Sequence, residues 1–385
     1  MRKTFSFLLI SVCIIHLADY IIIPILPIFF TKDKGFTSSQ VGLLIGISAI
    51  AFQIGSIGGG IISDKRGRRI IYIIGTIIAI ISLIGLGMSN KYHILLLLQI
   101  LNGIGSGMFA PTIKAAIAEI SKQSNNTKAF SARVIAANLG VAIGGLIPLL
   151  AKNLSRSYFF YLAAIFYGSL IIFAFFIPNN KNKQILKLKQ LGACFKDKTF
   201  LLFNFLILFV WIIYIQIRIL LPLRISALYD NANIAGSIWT ITSLFIVFFQ
   251  NFITKKLLKD KNEYMPIIIG NLAMGIGILS LGFSYTYIFI LISSLIFISG
   301  EMLFSPSIDS ITSNLADKSI TGTYFSVTHL TFGLGSALGS FIAGKLIDSL
   351  GILNIFPWLT LFLFTLISSL IIYLTKIKKI YSRKI

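Results

Sequence analysis

The sequence predicts an all-α integral membrane protein with twelve transmembrane helices, and two observations lead to this fold class. First, 56% of the 385 residues are hydrophobic and only 12% are charged, with a mean hydropathy of +0.90. Second, apolar runs of about 20 residues, the length that crosses a bilayer as a helix, recur along the chain between short charged or turn-forming breaks. This composition excludes a soluble globular domain.

The limits of the predicted spans are set by these charged and turn-forming breaks. The run from Phe5 to Phe30 is too long for the core of a signal peptide, and no small-residue cleavage site follows it, so it is kept as the first span. The predicted spans cover residues 4–30, 39–63, 69–89, 92–118, 130–152, 158–178, 199–227, 234–257, 264–284, 286–313, 320–347 and 353–375.

Lys and Arg collect on one side of the membrane when the connections are assigned alternately to the two sides. An even number of spans places both termini on the same side, and most of the 34 basic residues fall there, which the positive-inside rule makes cytoplasmic. The basic segments on this side are Arg2 and Lys3, Lys65 to Arg69, Lys122 and Lys128, Lys181 to Lys198, Lys255 to Lys261, Lys318, and Lys376 to Lys384. Orientation therefore explains the net charge of +22, and no nucleic-acid partner is expected.

No catalytic or metal-binding constellation stands out in the sequence. Cys13 and Cys194 have no metal-ligand spacing and are expected to be free thiols. A phosphate-binding loop of the Gly-x-x-x-x-Gly-Lys-Ser/Thr type and a nucleophile–base arrangement are both missing. The chain is therefore not expected to be an enzyme, to bind a metal or to hold a cofactor.

An internal repeat relates the two halves of the chain at a shift of 195 residues. The matched segments are Ala110 to Lys114 with Ser305 to Asp309, Phe130-Ser131 with Phe325-Ser326, and Gly140-x-Ala142-x-Gly144 with Gly335-x-Ala337-x-Gly339. A weaker match pairs Ile23-Pro24 with Leu221-Pro222. Because duplicated halves are common in transporters, the repeat predicts two halves of similar fold with a site at their interface.

The strongest motif is a short basic loop between the second and third predicted spans, residues 60–69, called here the signature loop. Its pattern is Gly-x-x-x-Asp-x-x-Gly-Arg-Arg, formed by Gly60, Asp64, Gly67, Arg68 and Arg69. This pattern resembles the signature loop of the major facilitator superfamily of secondary transporters. The resemblance implies that Asp64 contacts the eleventh span and stabilises the outward-open state; the plainer alternative is a tight turn with basic anchors.

The resemblance covers nearly the whole chain and implies the major facilitator fold, with two pseudo-symmetric bundles of six helices around a central cavity. The expected division is an N-terminal bundle at 1–178, a cytoplasmic basic linker at 179–198 that attracts anionic lipid, and a C-terminal bundle with a short cytoplasmic tail at 199–385.

Glycine-rich segments indicate a branch within this superfamily. Gly103-x-Gly105-x-Gly107 in the fourth span and Gly140 to Pro148 in the fifth, which includes Gly144, resemble the drug:proton antiporter branch. The sequence departs from that branch at Gln99, where the branch has an arginine linked to proton transfer, so proton coupling must use other residues or differ. The alternative reading makes these glycines, with Gly335 and Gly339 of the repeat, helix-packing residues and Pro148 a helix bend.

Ionisable residues inside predicted spans are costly to bury and are therefore candidate functional groups. His16 and Asp19 lie one turn apart in the first span, Arg218 lies in the seventh and Glu301 in the tenth. The resemblance places these spans around the cavity. We predict that Asp19 and Glu301 are titratable acids and that Arg218 is their counter-ion or a substrate anchor; the alternative is a fixed buried ion pair of Asp19 with Arg218.

A second set of charges lies near the cytoplasmic ends of the spans. Lys114 and Asp309 occupy equivalent positions of the repeat with opposite charge, and Glu119 and Arg133 are nearby in sequence. These residues are predicted to close a cytoplasmic gate. In the alternative, Lys114 and Asp309 only extend to the membrane interface.

These observations predict a secondary active transporter that works by alternating access and exports drug-like, hydrophobic or cationic compounds in exchange for protons. Proton-coupled uptake of a small polar nutrient and a non-transporting membrane sensor remain alternatives. The expected partners are a small-molecule substrate, protons and membrane lipids. We expect a monomer in the inner or plasma membrane with both termini cytoplasmic, powered by the proton gradient without a cofactor.

Overall fold

The computed structural model describes residues 2–120, 126–177, 194–257, 264–316 and 321–379. Within these ranges it contains twelve helical segments long and apolar enough to cross a membrane, and no strand. The predicted all-α class with twelve spans is confirmed. We number the spans 1 to 12 in chain order.

Most spans are single helices. Spans 2 to 6 are Ser38–Arg66, Arg68–Met88, Tyr92–Ile120, Asn126–Leu150 and Ser157–Phe173, and spans 9 to 12 are Tyr264–Phe283, Tyr287–Leu315, Thr321–Leu350 and Phe356–Lys379. A 3₁₀ turn at Ala174–Phe176 ends span 6, and another at Ala232–Ile234 precedes the helix Ala235–Leu257 of span 8. These limits lie within a few residues of the predicted ones for most spans.

Span 1 is interrupted near its prolines. The helix Arg2–Ile22 is followed by a short helix at Leu26–Ile28 and a π-helical turn at Phe29–Asp33. Pro24 and Pro27 lack the backbone N–H of a helical ladder, and a proline disfavours the α conformation of the residue before it. The last regular turn before the break is that of Asp19, whose carbonyl accepts from the Ile23 N–H at 2.9 Å.

Span 7 is interrupted in a similar way, between the helices Lys198–Tyr214 and Gln216–Leu228. Pro222 lies inside the second helix and cannot donate to the carbonyl of Arg218 four residues earlier. The Arg218 N–H donates to the Ile215 carbonyl at 3.0 Å, a tighter turn than that of an α-helix. The break therefore separates Tyr214 from Arg218, both of which contribute to the site described below.

Pairs of glycines bring spans 5 and 11 against the broken spans. A methyl group on Gly140 or Gly144 would overlap the backbone of span 1 at Cys13 and Leu17. At the equivalent positions of the repeat, a methyl group on Gly335 would lie 2.5 Å from Cβ of Trp211 in span 7. Gly339 likewise faces span 7, at Ile212 and Ile215. The two halves thus use the same small-residue contact, which lets helix backbones approach closely.

Gly140→Ala and Gly60→Ala form a matched pair of substitutions. Gly140→Ala is expected to lower the free energy of unfolding by about 1–3 kcal/mol, because its methyl group meets the rigid backbone of span 1. At Gly60 the same methyl group meets no atom within 4 Å, so it is expected to be neutral or to add up to about 1 kcal/mol of helix propensity. Thermal unfolding in detergent measures both; equal losses would contradict the packing role of Gly140.

The chain separates into two compact units. The first comprises Met1–Ile185 and Tyr229–Val247, and the second Leu186–Leu228 and Phe248–Ile385. The first unit has a core of buried apolar residues that includes Ile21, Phe109 and Phe160. The start of span 8 therefore belongs with the first unit although it follows span 7 in sequence. The division into bundles at 1–178 and 199–385 stays a prediction.

Candidate functional site

In the first unit, the carboxylate of Asp19 in span 1 accepts a short hydrogen bond from the hydroxyl of Tyr167 in span 6. Tyr167 is buried, and Phe109 of span 4 packs edge-on against its ring at a centroid distance of 5.3 Å. Ser106, also in span 4, interacts with the same hydroxyl. Half-buried His16 lies one turn before Asp19. Three spans thus surround this carboxylate.

In the second unit, Glu301 near the middle of span 10 is the corresponding acid. The hydroxyl of Tyr214 in span 7 donates to Glu301 Oε1 at 3.1 Å. The positive charge of Arg218 acts on Glu301, and its guanidinium carbon lies 5.9 Å from the centroid of the Tyr214 ring. The structure therefore groups Arg218 and Tyr214 with Glu301, and the predicted roles of Arg218 and Glu301 stay predictions.

Tyr214 belongs to a group of four aromatic rings in mutual contact, which we call the second-unit aromatic cluster: Trp211, Tyr214, Phe304 and Phe332. Trp211 lies 5.4 Å from Tyr214, 5.1 Å from Phe304 and 4.8 Å from Phe332, between ring centroids and in edge-on geometry. The indole N–H of Trp211 is buried without a hydrogen-bond partner. Aromatic faces next to a carboxylate suit a planar, positively charged organic molecule.

Each unit thus pairs a membrane-embedded acid with a tyrosine hydroxyl, but the two acids lie on spans that the repeat does not relate, and so do the two tyrosines. The acid lies in span 1 and its tyrosine in span 6 of the first unit, whereas the acid lies in span 10 and its tyrosine in span 7 of the second. Sequence analysis missed both tyrosines. Each tyrosine could have been noticed in the sequence as a hydroxyl-bearing residue within an otherwise apolar run, because a buried hydroxyl needs a hydrogen-bond partner.

The signature loop is a sharp turn between spans 2 and 3. Gly67 has a φ of 99°, which residues with a side chain rarely adopt, and its N–H donates to the Ser63 carbonyl at 2.9 Å. Arg68 is buried. The Asp64 side chain lies outside the described part of the structure, so its contact with span 11 stays a prediction.

Arg69 has a role in the structure that was not predicted. Its guanidinium donates to the carbonyls of Phe175 at 3.0 Å and Ile177 at 3.5 Å, at the end of span 6. Positive charge at a helix C-terminus compensates unpaired carbonyls. The signature loop thereby fixes the point at which the chain leaves span 6 towards the predicted linker.

The predicted gate residues lie on spans 4, 5 and 10. Lys114 and Asp309 have exposed side chains and belong to different units, and Arg133 is half-buried. The side chain of Glu119 is outside the described residues. Closure of a gate by these groups stays a prediction.

Span 4 is packed on two sides through its glycines. Gly103 and Gly107 abut the backbone of span 2 at Ser48 and Phe52, and a methyl group on Gly105 would lie 2.7 Å from the Gly75 carbonyl of span 3. Gln99, which stands where the antiporter branch has an arginine, is 2% exposed. Because the Gln99 side chain is buried, a longer side chain at this position would require the neighbouring residues to rearrange.

Arg224 of span 7 is fully buried, and sequence analysis passed over it. Its guanidinium donates to the carbonyls of Ile352 at 3.0 Å, Gly282 at 2.9 Å and Ser284 at 3.4 Å. The rings of Tyr285 and Trp358 lie 4.9 and 5.6 Å from it. Arg224 therefore joins span 7 to the end of span 9 and to the connection between spans 11 and 12.

Comparison with known proteins agrees with this arrangement of helices. Residues 8–340 match the family model of the Major Facilitator Superfamily. The chain belongs to the major facilitator superfamily. Like other members, this superfamily protein is a multi-pass membrane transporter of small molecules, and the predicted major facilitator fold is confirmed.

Two relatives of this superfamily transporter are resistance proteins. It is 25% identical to Multidrug resistance protein MdtH of Baumannia cicadellinicola subsp. Homalodisca coagulata over 368 residues, which cover 92% of this chain and 88% of the relative. It is 26% identical to Quinolone resistance protein NorA of Staphylococcus aureus (strain MSSA476) over 361 residues, covering 90% and 91% of the two chains.

Solved structures of other transporters share its fold. A POT family transporter in complex with 5-aminolevulinic acid superposes with a TM-score of 0.81 at 18% identity, covering 98% of this chain and 97% of that one. A point mutant of the nucleoside transporter NupG gives a TM-score of 0.82 at 15% identity, covering 96% of this chain and 98% of that one. At these identities the likeness concerns the fold alone.

Proposed function

We propose that this transporter exports hydrophobic or cationic aromatic compounds in exchange for protons. The observation that carries the proposal is the position of Glu301, which is hydrogen-bonded to a ring of the second-unit aromatic cluster and lies within the field of Arg218. The resistance proteins that share 25% and 26% of its residues support the same direction of transport.

The proton part of the proposal rests on the two acid–tyrosine pairs. A carboxylate that is removed from water releases or takes up a proton when its surroundings change, and a hydroxyl beside it exchanges hydrogen bonds at little cost. Asp19 with Tyr167 and Glu301 with Tyr214 provide one such group in each unit. In this proposal the proton gradient supplies the energy, and no bound cofactor takes part.

The substrate part rests on the second-unit aromatic cluster. Rings in edge-on contact present flat faces whose electrostatics favour cations, and they impose few directional constraints. Phe304 and Phe332 carry no hydrogen-bonding group, and the unpartnered indole N–H of Trp211 is a single donor. Such a surface accepts many planar molecules.

The experiment uses everted membrane vesicles or proteoliposomes with an imposed proton gradient and ethidium as the fluorescent probe. Export predicts that ethidium enters everted vesicles and that protons leave them in a protein-dependent manner. Uptake of a labelled nutrient without movement of the dye would replace the proposal with proton symport. Folded protein that moves neither would indicate a sensor.

Trp211→Ala is expected to weaken ethidium binding about tenfold, which corresponds to about 1.4 kcal/mol and is the size of one aromatic or cation–π contact. Tyr285→Ala is the matched control, because Tyr285 packs on Arg224 at the other end of span 7 and outside the cluster. Fluorescence titration of the purified protein measures both. If the Trp211 variant and the wild type bind ethidium with equal affinity, the aromatic cluster is not part of the substrate site.

We further propose a monomer in the inner or plasma membrane, with both termini in the cytoplasm. The distribution of Lys and Arg supports this orientation, since they concentrate on the side of the termini. Labelling of an added N-terminal cysteine by an impermeant thiol reagent in intact cells tests this orientation. Rapid labelling would show that the N-terminus lies outside the cell and would contradict the proposal.

A further inference from the structure

One arginine joins three connections on the membrane face opposite the chain termini, called here the far face. Arg156, which precedes the helix of span 6, forms an ion pair with Asp33 at the end of span 1, with 2.6 Å between Nη1 and Oδ1. Its Nε donates to Oδ1 of Asn233, which precedes span 8, at 3.3 Å. All three residues belong to the first unit.

The start of span 8 also packs against span 5, through residues that lie further inside the two helices than Arg156 and Asn233. The Thr240 hydroxyl donates to the Ala142 carbonyl at 2.8 Å. A methyl group on Gly145 would lie 2.5 Å from the Gly236 carbonyl, so the two backbones are in direct contact. Because glycine has no side chain, such a contact forms and breaks with almost no change in side-chain entropy.

Span 1 contacts the same segment. The ring of Tyr20 packs edge-on against Trp239 with 5.6 Å between centroids, one residue after Asp19 in the sequence. Further along span 8, Phe248, Phe249 and Phe252 are exposed and the helix belongs to the second unit. Within the described part of span 8, the contacts with spans 1 and 5 given above lie in its first half.

We propose that Arg156 is a clasp that holds the start of span 8 against spans 1 and 5 and that this clasp opens once in every transport cycle. Alternating access requires the far end of the pathway to open, and the first half of span 8 is attached there by few and reversible contacts. The Asp33 and Arg156 side chains are 30% and 21% exposed, so water replaces the ion pair at low cost. Arg156 is thus a positioning residue for the conformational change and contacts no substrate.

The test measures the conformation directly, independently of any substrate. Spin labels are placed at Lys91→Cys and Asp230→Cys, two exposed far-face positions in the first unit, after Cys13→Ala and Cys194→Ala. Pulsed electron–electron double resonance on the full chain in nanodiscs gives the distribution of distances between the two spin labels. Arg156→Gln is expected to increase the ratio of long to short distances about tenfold, the effect of losing one ion pair and one hydrogen bond.

Matched variants separate the clasp from a general effect of charge. Lys152→Gln removes one exposed positive charge from the same connection and is expected to leave the distribution unchanged. Asp33→Asn removes the ion pair but leaves the hydrogen bond to Asn233, so it is expected to act in the same direction as Arg156→Gln and more weakly. The double variant is expected to act no more strongly than Arg156→Gln, because Asp33 acts through Arg156. An unchanged distribution in Arg156→Gln, or an equal change in Lys152→Gln, would overturn the proposal.

A further variant covers the case in which Arg156→Gln does not give monodisperse protein. Asp33→Lys combined with Arg156→Glu reverses the pair, and the new carboxylate is still able to accept from the Asn233 amide. This double variant is expected to restore the wild-type distribution. If it folds and the long distance persists, the clasp is refuted.

Discussion

Asp19→Asn is expected to reduce substrate-driven proton movement to the level of vesicles without the protein, while ethidium binding remains. The amide oxygen is still able to accept the hydrogen bond from Tyr167, so the local packing is retained. The amide does not ionise, and the group proposed to carry the proton is lost. Proton flux in proteoliposomes and dye binding to purified protein measure the two properties separately.

Tyr167→Phe is the matched control for Asp19→Asn. It removes the hydroxyl and keeps both the ring and the carboxylate, so proton movement is expected to persist with a displaced pH optimum. Glu301→Gln tests the other unit in the same assay. Near-normal proton movement in both Asp19→Asn and Glu301→Gln would rule out the two acids as the coupling groups.

Arg224→Met is expected to cause the largest loss of stability among single substitutions in the second unit, about 3–5 kcal/mol. The change removes a fully buried guanidinium and leaves the carbonyls of Gly282, Ser284 and Ile352 without this donor. A buried polar group that loses its partner costs about 1–3 kcal/mol. Thermal unfolding in detergent is expected to show a clear decrease in melting temperature.

Lys345→Met provides the comparison for Arg224→Met. Lys345 is exposed and lies 5.8 Å from the Phe341 ring, so it also forms a cation–π contact, but at the surface of span 11. Its removal is expected to change the free energy of unfolding by less than about 1 kcal/mol. If the two variants unfold at the same temperature, Arg224 does not join span 7 to the end of span 9 and to the connection between spans 11 and 12 as described.

The sequence predicted the spans and their repeat well because both depend on local properties. The length of an apolar run decides whether a helix crosses the bilayer, and Pro24 and Pro222 indicate where spans 1 and 7 weaken. The grouping of Arg218 with Glu301 was also anticipated. It followed from the resemblance, which placed their spans around one cavity.

The parts that were missed depend on how helices face one another. Tyr167 and Tyr214 are ordinary members of apolar runs until packing brings each against a carboxylate. Arg156 was not singled out, because its partners lie in connections more than 70 residues away in sequence. Spacing along one helix carries no information about such contacts.

The second-unit aromatic cluster has a consequence for how this protein adapts. Trp211, Phe304 and Phe332 lie on three different spans, and the two phenylalanines shape the surface through their volume alone. The proposed proton groups Asp19 and Glu301 are held by separate hydrogen bonds. Substitution of one ring therefore alters which molecules fit while the energy-coupling groups stay in place. Under selection by a new toxic compound, single substitutions can therefore change the range of exported molecules while proton coupling is retained.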